Sequence, residues 1–182
     1  MSRRHVLTPK TECPIECLCS HAGERSQLDF ANRAVSVLGE PDGVVLETRT
    51  DGLVVMAETE TALERQLEIL REVYGAALRV EGPRIRYRGG GNEEPYMGVR
   101  VSCASHLFDA VKADLERLGA SILDAERTPQ IGVVRASAPL EALLGYPRRL
   151  ASLTRGQARE VMWLSHYAPV TRQPARMQAG SS

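Results

Sequence analysis

The chain has 182 residues, 43% of them hydrophobic, and its 23 basic and 23 acidic side chains give a formal net charge of zero. This length suits one medium domain or two small ones, and no apolar run approaches the roughly 20 residues that cross a membrane. No membrane partner is therefore expected, and a zero charge balance argues against a general nucleic-acid binder, so no DNA partner is expected either. Polar residues follow the basic N-terminus where a signal peptide needs an apolar core, which predicts a cytoplasmic protein.

The first half of the chain begins with patterns typical of a strand and a helix. Ile15, Cys17 and Cys19 alternate with more polar neighbours, which predicts a strand that carries these three side chains on one face. Apolar residues then recur at helical spacing over 28–38, after Ser26, a candidate N-cap. A strand followed by an amphipathic helix is therefore expected.

A hairpin, a helix and a strand follow in the predicted order. Segments 44–49 and 53–56 read as strands around Asp51-Gly52, a dipeptide typical of two-residue hairpin turns. A helix is predicted over 61–74 and the last strand over 77–88. The residues expected on the buried face of that helix are Leu63, Leu67, Leu70 and Val73.

The second half repeats this order after a glycine-rich linker. The predicted elements are a strand over 96–103, a helix over 105–118 that stops at Gly119, strands over 121–126 and 131–138, a helical segment over 140–153 and a strand over 160–167. The fold class is therefore α+β, with two ferredoxin-like βαββαβ split modules, each a four-stranded antiparallel sheet with two helices on one face. The predicted organisation is an N-terminal extension 1–12, a first module 13–88, a linker 89–93, a second module 94–170 and a disordered tail 171–182.

No segment of the sequence carries a recognisable catalytic pattern. A phosphate-binding loop needs glycines that lead into a lysine and a hydroxyl residue, and neither Lys10 nor Lys112 lies in such a context. No serine occupies a nucleophile-elbow pattern, and the four histidines show no spacing to a nucleophile. We therefore expect a protein that is not an enzyme and that uses no cofactor.

Four soft metal ligands lie close together at the start of the first module, namely Cys13, Cys17, Cys19 and His21. Zinc accepts thiolates and imidazoles, so these residues are weak candidates for a metal site. The alternation of the second and third cysteines with Ile15 favours a different role, as small buried side chains of a strand. We expect no metal here.

Arginines alternate with other residues at the end of the first module. Arg84, Arg86 and Arg88 are separated by Ile85 and Tyr87, so a strand would project all three from one sheet face. Such a row binds RNA phosphates in some proteins and simply solvates an exposed surface in others. Both interpretations stay open.

Three motifs in the second half carry a family resemblance. They are Glu94-Pro-Tyr-Met-Gly-Val-Arg-Val, the segment 138–158 with its Gly-Tyr and Leu-Ala-Ser-Leu-Thr-Arg-Gly sequences, and Met162-Trp-Leu-Ser-His-Tyr-Ala-Pro-Val. Together they make residues 94–170 resemble the fifth, C-terminal domain of elongation factor G and elongation factor 2. One departure is Arg155, where the family usually has glutamine before glycine.

The first half resembles the third domain of the same family less closely. Gly82-Pro-Arg-Ile-Arg-Tyr-Arg is similar to that domain's last strand, whereas 57–64 lacks the family's two glycines and histidine before the second helix. The GTPase and second domains have no counterpart here, and residues 89–93 stand where the family's fourth domain would lie. The resemblance thus covers the third and fifth domains only and implies no translocation activity.

The resemblance implies binding at the factor-binding site of the large ribosomal subunit and its rRNA, with modulation of translation. From Arg148 onward there are six arginines and one acid, so the positive charge of the chain concentrates there. The candidate ribosome-binding residues are Arg148, Arg149, Arg155 and Arg159, with Arg84, Arg86 and Arg88 as further candidates for RNA. The alternative is a module that binds another protein or a small ligand without the ribosome, because this fold hosts many functions.

Overall fold

The computed structural model describes residues 12–171, so the predicted extension and tail fall outside it apart from Glu12 and Thr171. The first module contains β1 (Ile15–His21), α1 (Gln27–Leu38), β2 (Val44–Arg49), β3 (Gly52–Ala57), α2 (Glu60–Tyr74) and β4 (Leu78–Ile85). The second contains β5 (Glu93–Ala104), α3 (Phe108–Arg117), β6 (Ser121–Arg127), β7 (Ile131–Pro139), α4 (Leu140–Leu143), α5 (Tyr146–Thr154) and β8 (Ala158–Pro169). Short 3-10 turns lie at 75–77, 89–91 and 105–107.

Both modules have the same sheet topology. The strand orders are β2-β3-β1-β4 and β6-β7-β5-β8, and every described pair is antiparallel. In each sheet, the first and third strands of the module therefore occupy the centre, and its second and fourth strands form the edges. This is the split βαβ arrangement, so the predicted α+β fold of two ferredoxin-like modules is confirmed.

The helices of the first module begin at side-chain caps. The Ser26 hydroxyl accepts a hydrogen bond from the Asp29 amide at 3.2 Å, and the Thr59 hydroxyl accepts one from the Ala62 amide at 3.2 Å. Each bond satisfies an amide that has no partner within its helix, which fixes where the helix starts. The prediction of Ser26 as an N-cap is confirmed.

Two predicted positions in the first module differ from the structure. Arg49 pairs with Gly52 in the hairpin, so the two loop residues are Thr50 and Asp51 instead of Asp51 and Gly52. Gly52 has a φ of 146°, and a Cβ there would overlap the Cys19 carbonyl oxygen of the neighbouring strand. The glycine is thus needed for close backbone approach within the sheet. Val73, predicted to be buried, lies in the last turn of α2 and is 55% exposed.

The helical segment predicted over 140–153 is interrupted. It consists of α4 and α5, separated by Leu144 and by Gly145, which has a φ of 77°. This left-handed residue redirects the chain so that Leu140, Leu143 and Leu150 all reach the core. The periodicity of the apolar residues gave no sign of the break, because the two helices present their apolar sides to the same sheet.

The two modules share buried apolar contacts. Core residues of both belong to one continuous hydrophobic cluster. A direct polar contact also joins them, because the Gly145 amide donates a hydrogen bond to the Glu60 carboxylate at 2.7 Å. Among residues 12–171, no helix has the length and apolar character needed to span a membrane.

Candidate functional site

The two adjacent arginines at the start of α5 have different surroundings. Arg149 donates hydrogen bonds to both carboxylate oxygens of Asp114 in α3, at distances from 2.5 to 3.0 Å. The Asp114 side chain is only 4% exposed, so this arginine balances a buried charge. Hydrogen bonding to Asp114 raises the pKa of Arg149. Arg148 is exposed, and lies beside Glu60 and Glu64 of α2 in a surface cavity of about 330 Å³.

The other two arginines of the predicted group lie beyond the end of α5. Arg155 caps this helix in a left-handed conformation with φ 51°, and Gly156 follows with φ 75°. Arg155 is exposed on the side of the sheet that carries the helices. Arg159 lies in β8 opposite Ser102 of β5, on the face away from the helices. The structure therefore distributes the group over both sides of the second module.

We refer to Arg148 and Arg155 as the helix-side arginines, because both are exposed on the helical layer. Neither has an ion pair described within residues 12–171, so both guanidinium groups are exposed, with the carboxylates of Glu60 and Glu64 beside Arg148. Arg149 differs from them because it supports the fold. Among the predicted ribosome-binding arginines on the helical layer, Arg148 and Arg155 are therefore the ones that are exposed to a partner and have no described ion pair.

The arginine row of the first module is already engaged. Arg84 lies 3.3 Å from the Glu81 carboxylate. Arg86 lies 3.2 Å from the Glu16 carboxylate and donates a hydrogen bond to the Cys13 carbonyl at 2.9 Å. Arg88 is beyond the end of β4, and its guanidinium lies 3.8 Å from the centre of the Tyr167 ring. The contacts of Arg86 and Arg88 favour a structural role that includes joining the two modules, whereas the Arg84 pair joins two largely exposed side chains and leaves this arginine at the surface.

The weak metal candidates do not converge. Cys17 and Cys19 lie in the main core, whereas Cys13 packs on the other side of the sheet with Val54 and Met56. Burial raises the pKa of the thiols to about 11 for Cys13 and Cys17 and about 12 for Cys19, so none is a thiolate at neutral pH.

The imidazole among these candidates is also engaged in the fold. Nδ1 of His21 accepts a hydrogen bond from the Gly23 amide at 3.1 Å, and the ring packs near Phe30 and Tyr74. Within residues 12–171, no group of three or more His, Cys, Asp or Glu side chains is arranged to hold a metal ion.

An exposed aromatic residue that the sequence patterns did not indicate lies on the open face of the second sheet, the face away from its helices. Trp163 of β8 is 45% exposed and lies opposite Gly98 of β5. Arg100 is exposed two residues along β5, opposite Val161. The alternation of β8 could have predicted that Trp163 lies on this face. The pairing of Trp163 with Gly98 depends on the register between β5 and β8, which sequence spacing alone does not give.

A groove of about 420 Å³ runs along β8 on the side of the first module. Its lining includes Glu58 and Thr59 from the first module, and Arg88, Trp163 and His166. His166 stacks on Tyr96 with ring centres 5.1 Å apart. The groove combines apolar and polar groups, with the Glu58 carboxylate on the wall that belongs to the first module.

Comparison with protein families identifies the second module. Residues 92–177 match the family model described as the elongation factor G C-terminus. Elongation factor G of Granulibacter bethesdensis is 35% identical over 104 residues, which are 57% of this chain and 15% of that protein. Elongation factor G of Fervidobacterium nodosum is 38% identical over 77 residues, 42% of this chain and 11% of that protein. The mitochondrial ribosome-releasing factor 2 of Danio rerio is 30% identical over 89 residues, 49% of this chain and 12% of that protein.

A solved structure supports the fold over both modules. A crystal structure of a Thermus thermophilus protein superposes with a TM-score of 0.61, covering 87% of this chain and 41% of that one, at 16% sequence identity. At this identity the likeness concerns the fold alone. The chain spans less than half of this structure and only 11 to 15% of the elongation factors compared above.

Proposed function

The second module belongs to the elongation factor G C-terminal family, and from this premise we propose that the protein is a non-catalytic, cytoplasmic ribosome-binding factor. It docks at or near the factor-binding site of the large subunit, contacts rRNA there and modulates translation. The observation that carries this proposal is the family match over residues 92–177. That match supports a translation-factor-like role. The docking site on the ribosome is the part of the proposal that an experiment must test.

The helix-side arginines provide a chemical basis for docking. Arg148 and Arg155 lie at opposite ends of α5, a helix of nine residues, so they lie about 10 Å apart along its axis. Phosphates along an RNA backbone are contacted by such exposed guanidinium groups, and each contact makes binding weaker at higher salt. Arg149, between them along the chain, is occupied by Asp114. We therefore assign the contact with rRNA to Arg148 and Arg155.

Catalysis has no role in this proposal. The buried thiols of the first module are protonated at neutral pH, and His21 of β1 accepts a hydrogen bond from the Gly23 amide. A protein that occupies a shared site on the ribosome needs binding energy and shape, and requires no chemistry of its own. Its effect on translation then depends on its concentration and affinity relative to other factors.

Cosedimentation with purified ribosomal subunits over a salt series tests the proposal. We expect saturable binding to the large subunit that weakens with salt and is reduced at least several-fold in an Arg148→Gln/Arg155→Gln variant. The matched control is Arg79→Gln, because Arg79 is an exposed arginine of the first module. Arg149 is left intact, since its loss would confuse binding with stability. Absence of saturable binding at low salt would exclude the ribosome as the partner.

A second candidate function is favoured by the groove along β8. Its volume of about 420 Å³ and mixed polar lining suit an extended peptide or a small ligand. β8 is also an edge strand, which can accept another strand from a partner. If the protein fails to bind ribosomes, this groove is the surface to test next, with a Ser165→Arg substitution that fills it and leaves the Thr59 cap of α2 intact.

A further inference from the structure

Trp163 lies with one ring face against the second sheet. A Cβ built on Gly98 would come within 2.6 Å of three atoms of the indole, Cε2, Cζ2 and Nε1, and Cε2 would be the nearest. Cε2 is bonded to the other two atoms and is set back from the edge that they form. Its being nearest means that the face of the ring covers the glycine. Only glycine leaves room for this arrangement.

The opposite face of the indole points to solvent. Trp163 retains 45% exposure and its strand neighbour Val161 retains 60%. An aromatic ring held flat on a sheet, with one face covered and one face open, is suited to stacking against another planar group. Nucleic-acid bases are such groups, and stacking of a base on an exposed aromatic side chain is a general means of binding single strands.

Positive charge lies beside this ring. Arg100 is opposite Val161 in the register, so Trp163 and Arg159 are its two diagonal neighbours on β8, at about 7 to 8 Å. Neither Arg100 nor Arg159 has an ion pair among the described residues, and both are exposed. The other outward residues of these two strands in this stretch are Gly98, Ser102, Val161 and Ser165, and none of them is acidic.

The acids near this face limit where an anionic chain can lie. Asp124 on β6 is paired with Arg135 at 2.6 Å, and Glu126 lies on the same far edge strand. On the other side, Glu58 lines the groove beyond β8. A polyanion is therefore favoured between these borders, along β5 and β8 from Trp163 towards Arg159.

We propose that this open face binds single-stranded RNA, with one base stacked on Trp163 and the backbone phosphates contacted by Arg100 and Arg159. A single strand is required because bases in a duplex are stacked on one another and closed to a side-chain platform. The choice of RNA over DNA rests on the proposed role in translation. The use of this face is independent of docking through the helix-side arginines, which lie on the other side of the sheet.

The chain has one tryptophan, so its fluorescence reports directly on the proposed platform. The full chain is titrated with a single-stranded RNA of about 12 nucleotides, within the range of known single-strand sites. We expect saturable quenching of Trp163, with weaker quenching by the same RNA annealed into a duplex. Binding without any change in fluorescence would contradict stacking. Tighter binding of a DNA strand of matched sequence would contradict the choice of RNA.

Variants separate stacking from charge, with binding measured by the anisotropy of a labelled RNA. Trp163→Ala is expected to weaken binding by about 5- to 150-fold, and Trp163→Phe to restore much of it because a phenyl ring also stacks. An Arg100→Gln/Arg159→Gln variant should lower the slope of log affinity against log salt by about 1.4, corresponding to two lost phosphate contacts on a single strand. Arg79→Gln serves as the control and should change neither quantity.

Three outcomes distinguish this proposal from the docking proposal. If Trp163→Ala binds RNA as tightly as the original chain while its circular dichroism is unchanged, the open face is not the RNA site. If ribosome binding is retained while no RNA quenches Trp163 at low salt, docking stands and the open face is assigned to a protein partner instead. Loss of quenching only in the Arg100→Gln/Arg159→Gln variant, and not in Arg148→Gln/Arg155→Gln, would support the separation of the two surfaces.

Discussion

The two modules share one topology and differ in what their open sheet faces present. In the first, the acids Glu16 and Glu81 pair with arginines, and Val54 and Met56 are buried. In the second, Arg100 has no described ion pair and Trp163 is 45% exposed. The same fold therefore carries different surface residues in the two modules. Binding functions have to be assigned from the surface of each module separately.

The largest expected effect is that of a core substitution, which tests whether the two modules unfold as one cooperative unit. Leu67 in α2 is 2% exposed and lies in the cluster that both modules share, so Leu67→Ala should lower the free energy of unfolding by about 2 to 5 kcal/mol. Trp163 lies in the second module, and its fluorescence should report the same shift in the urea midpoint as far-UV circular dichroism. Val73→Ala, on the exposed part of the same helix, should change stability by less than about 0.5 kcal/mol.

Different urea midpoints by circular dichroism and by Trp163 fluorescence would show that the modules are not one cooperative unit. If Leu67→Ala moves the circular dichroism transition and leaves the Trp163 transition in place, the modules unfold separately. The first module would then be a neighbour of the second and not its support.

A smaller effect is expected from the two adjacent arginines of α5. Arg149→Ala removes the main partner of the buried Asp114 and leaves Arg117 at 3.3 Å as its partner among residues 12–171, so the melting temperature of this variant should fall by several degrees. Arg148→Ala removes an exposed side chain and should melt close to the original protein. Equal melting temperatures for both variants, measured by thermal unfolding, would show that Asp114 does not depend on Arg149.

The smallest effect concerns the thiols of the first module. Burial raises the pKa of Cys17 and Cys19 from the ordinary value of 9.0 to about 11 and about 12. Between pH 9 and 11 the folded protein therefore keeps protons that the unfolded chain releases, so stability should be complete below pH 9 and fall as pH rises through this window. Urea unfolding at a series of pH values checks the direction. A Cys19→Ala variant should show a shallower fall, and an identical fall would assign the effect to other groups.

The sequence predicted the features that depend on local patterns. Alternation placed Ile15, Cys17 and Cys19 on the buried face of β1, and hydroxyl chemistry placed Ser26 at the start of α1. Features that depend on pairing were wrong or missed. The hairpin loop is one residue earlier than the dipeptide Asp51-Gly52 indicated, because strand register moved the glycine into the sheet.

The candidate site was predicted only in part for the same reason. Arginine counts identified the basic end of the chain, but not that Arg149 is committed to Asp114 or that Arg159 lies on the other side of the sheet. Trp163 and Gly98 are separated by most of the second module, and only the β5–β8 register brings them together. Single-sequence patterns report on faces of an element, whereas a site combines faces of several elements.

Displacement by elongation factor G from the large ribosomal subunit shows whether the protein occupies the factor-binding site. The labelled full chain is bound to purified large subunits, and elongation factor G is added in increasing amount. We expect the factor to displace the protein in a saturable manner, and an Arg148→Gln/Arg155→Gln variant to be displaced at lower factor concentrations than the Arg79→Gln control. Binding that persists at saturating elongation factor G would contradict a shared site, and with it the proposed function of the second module.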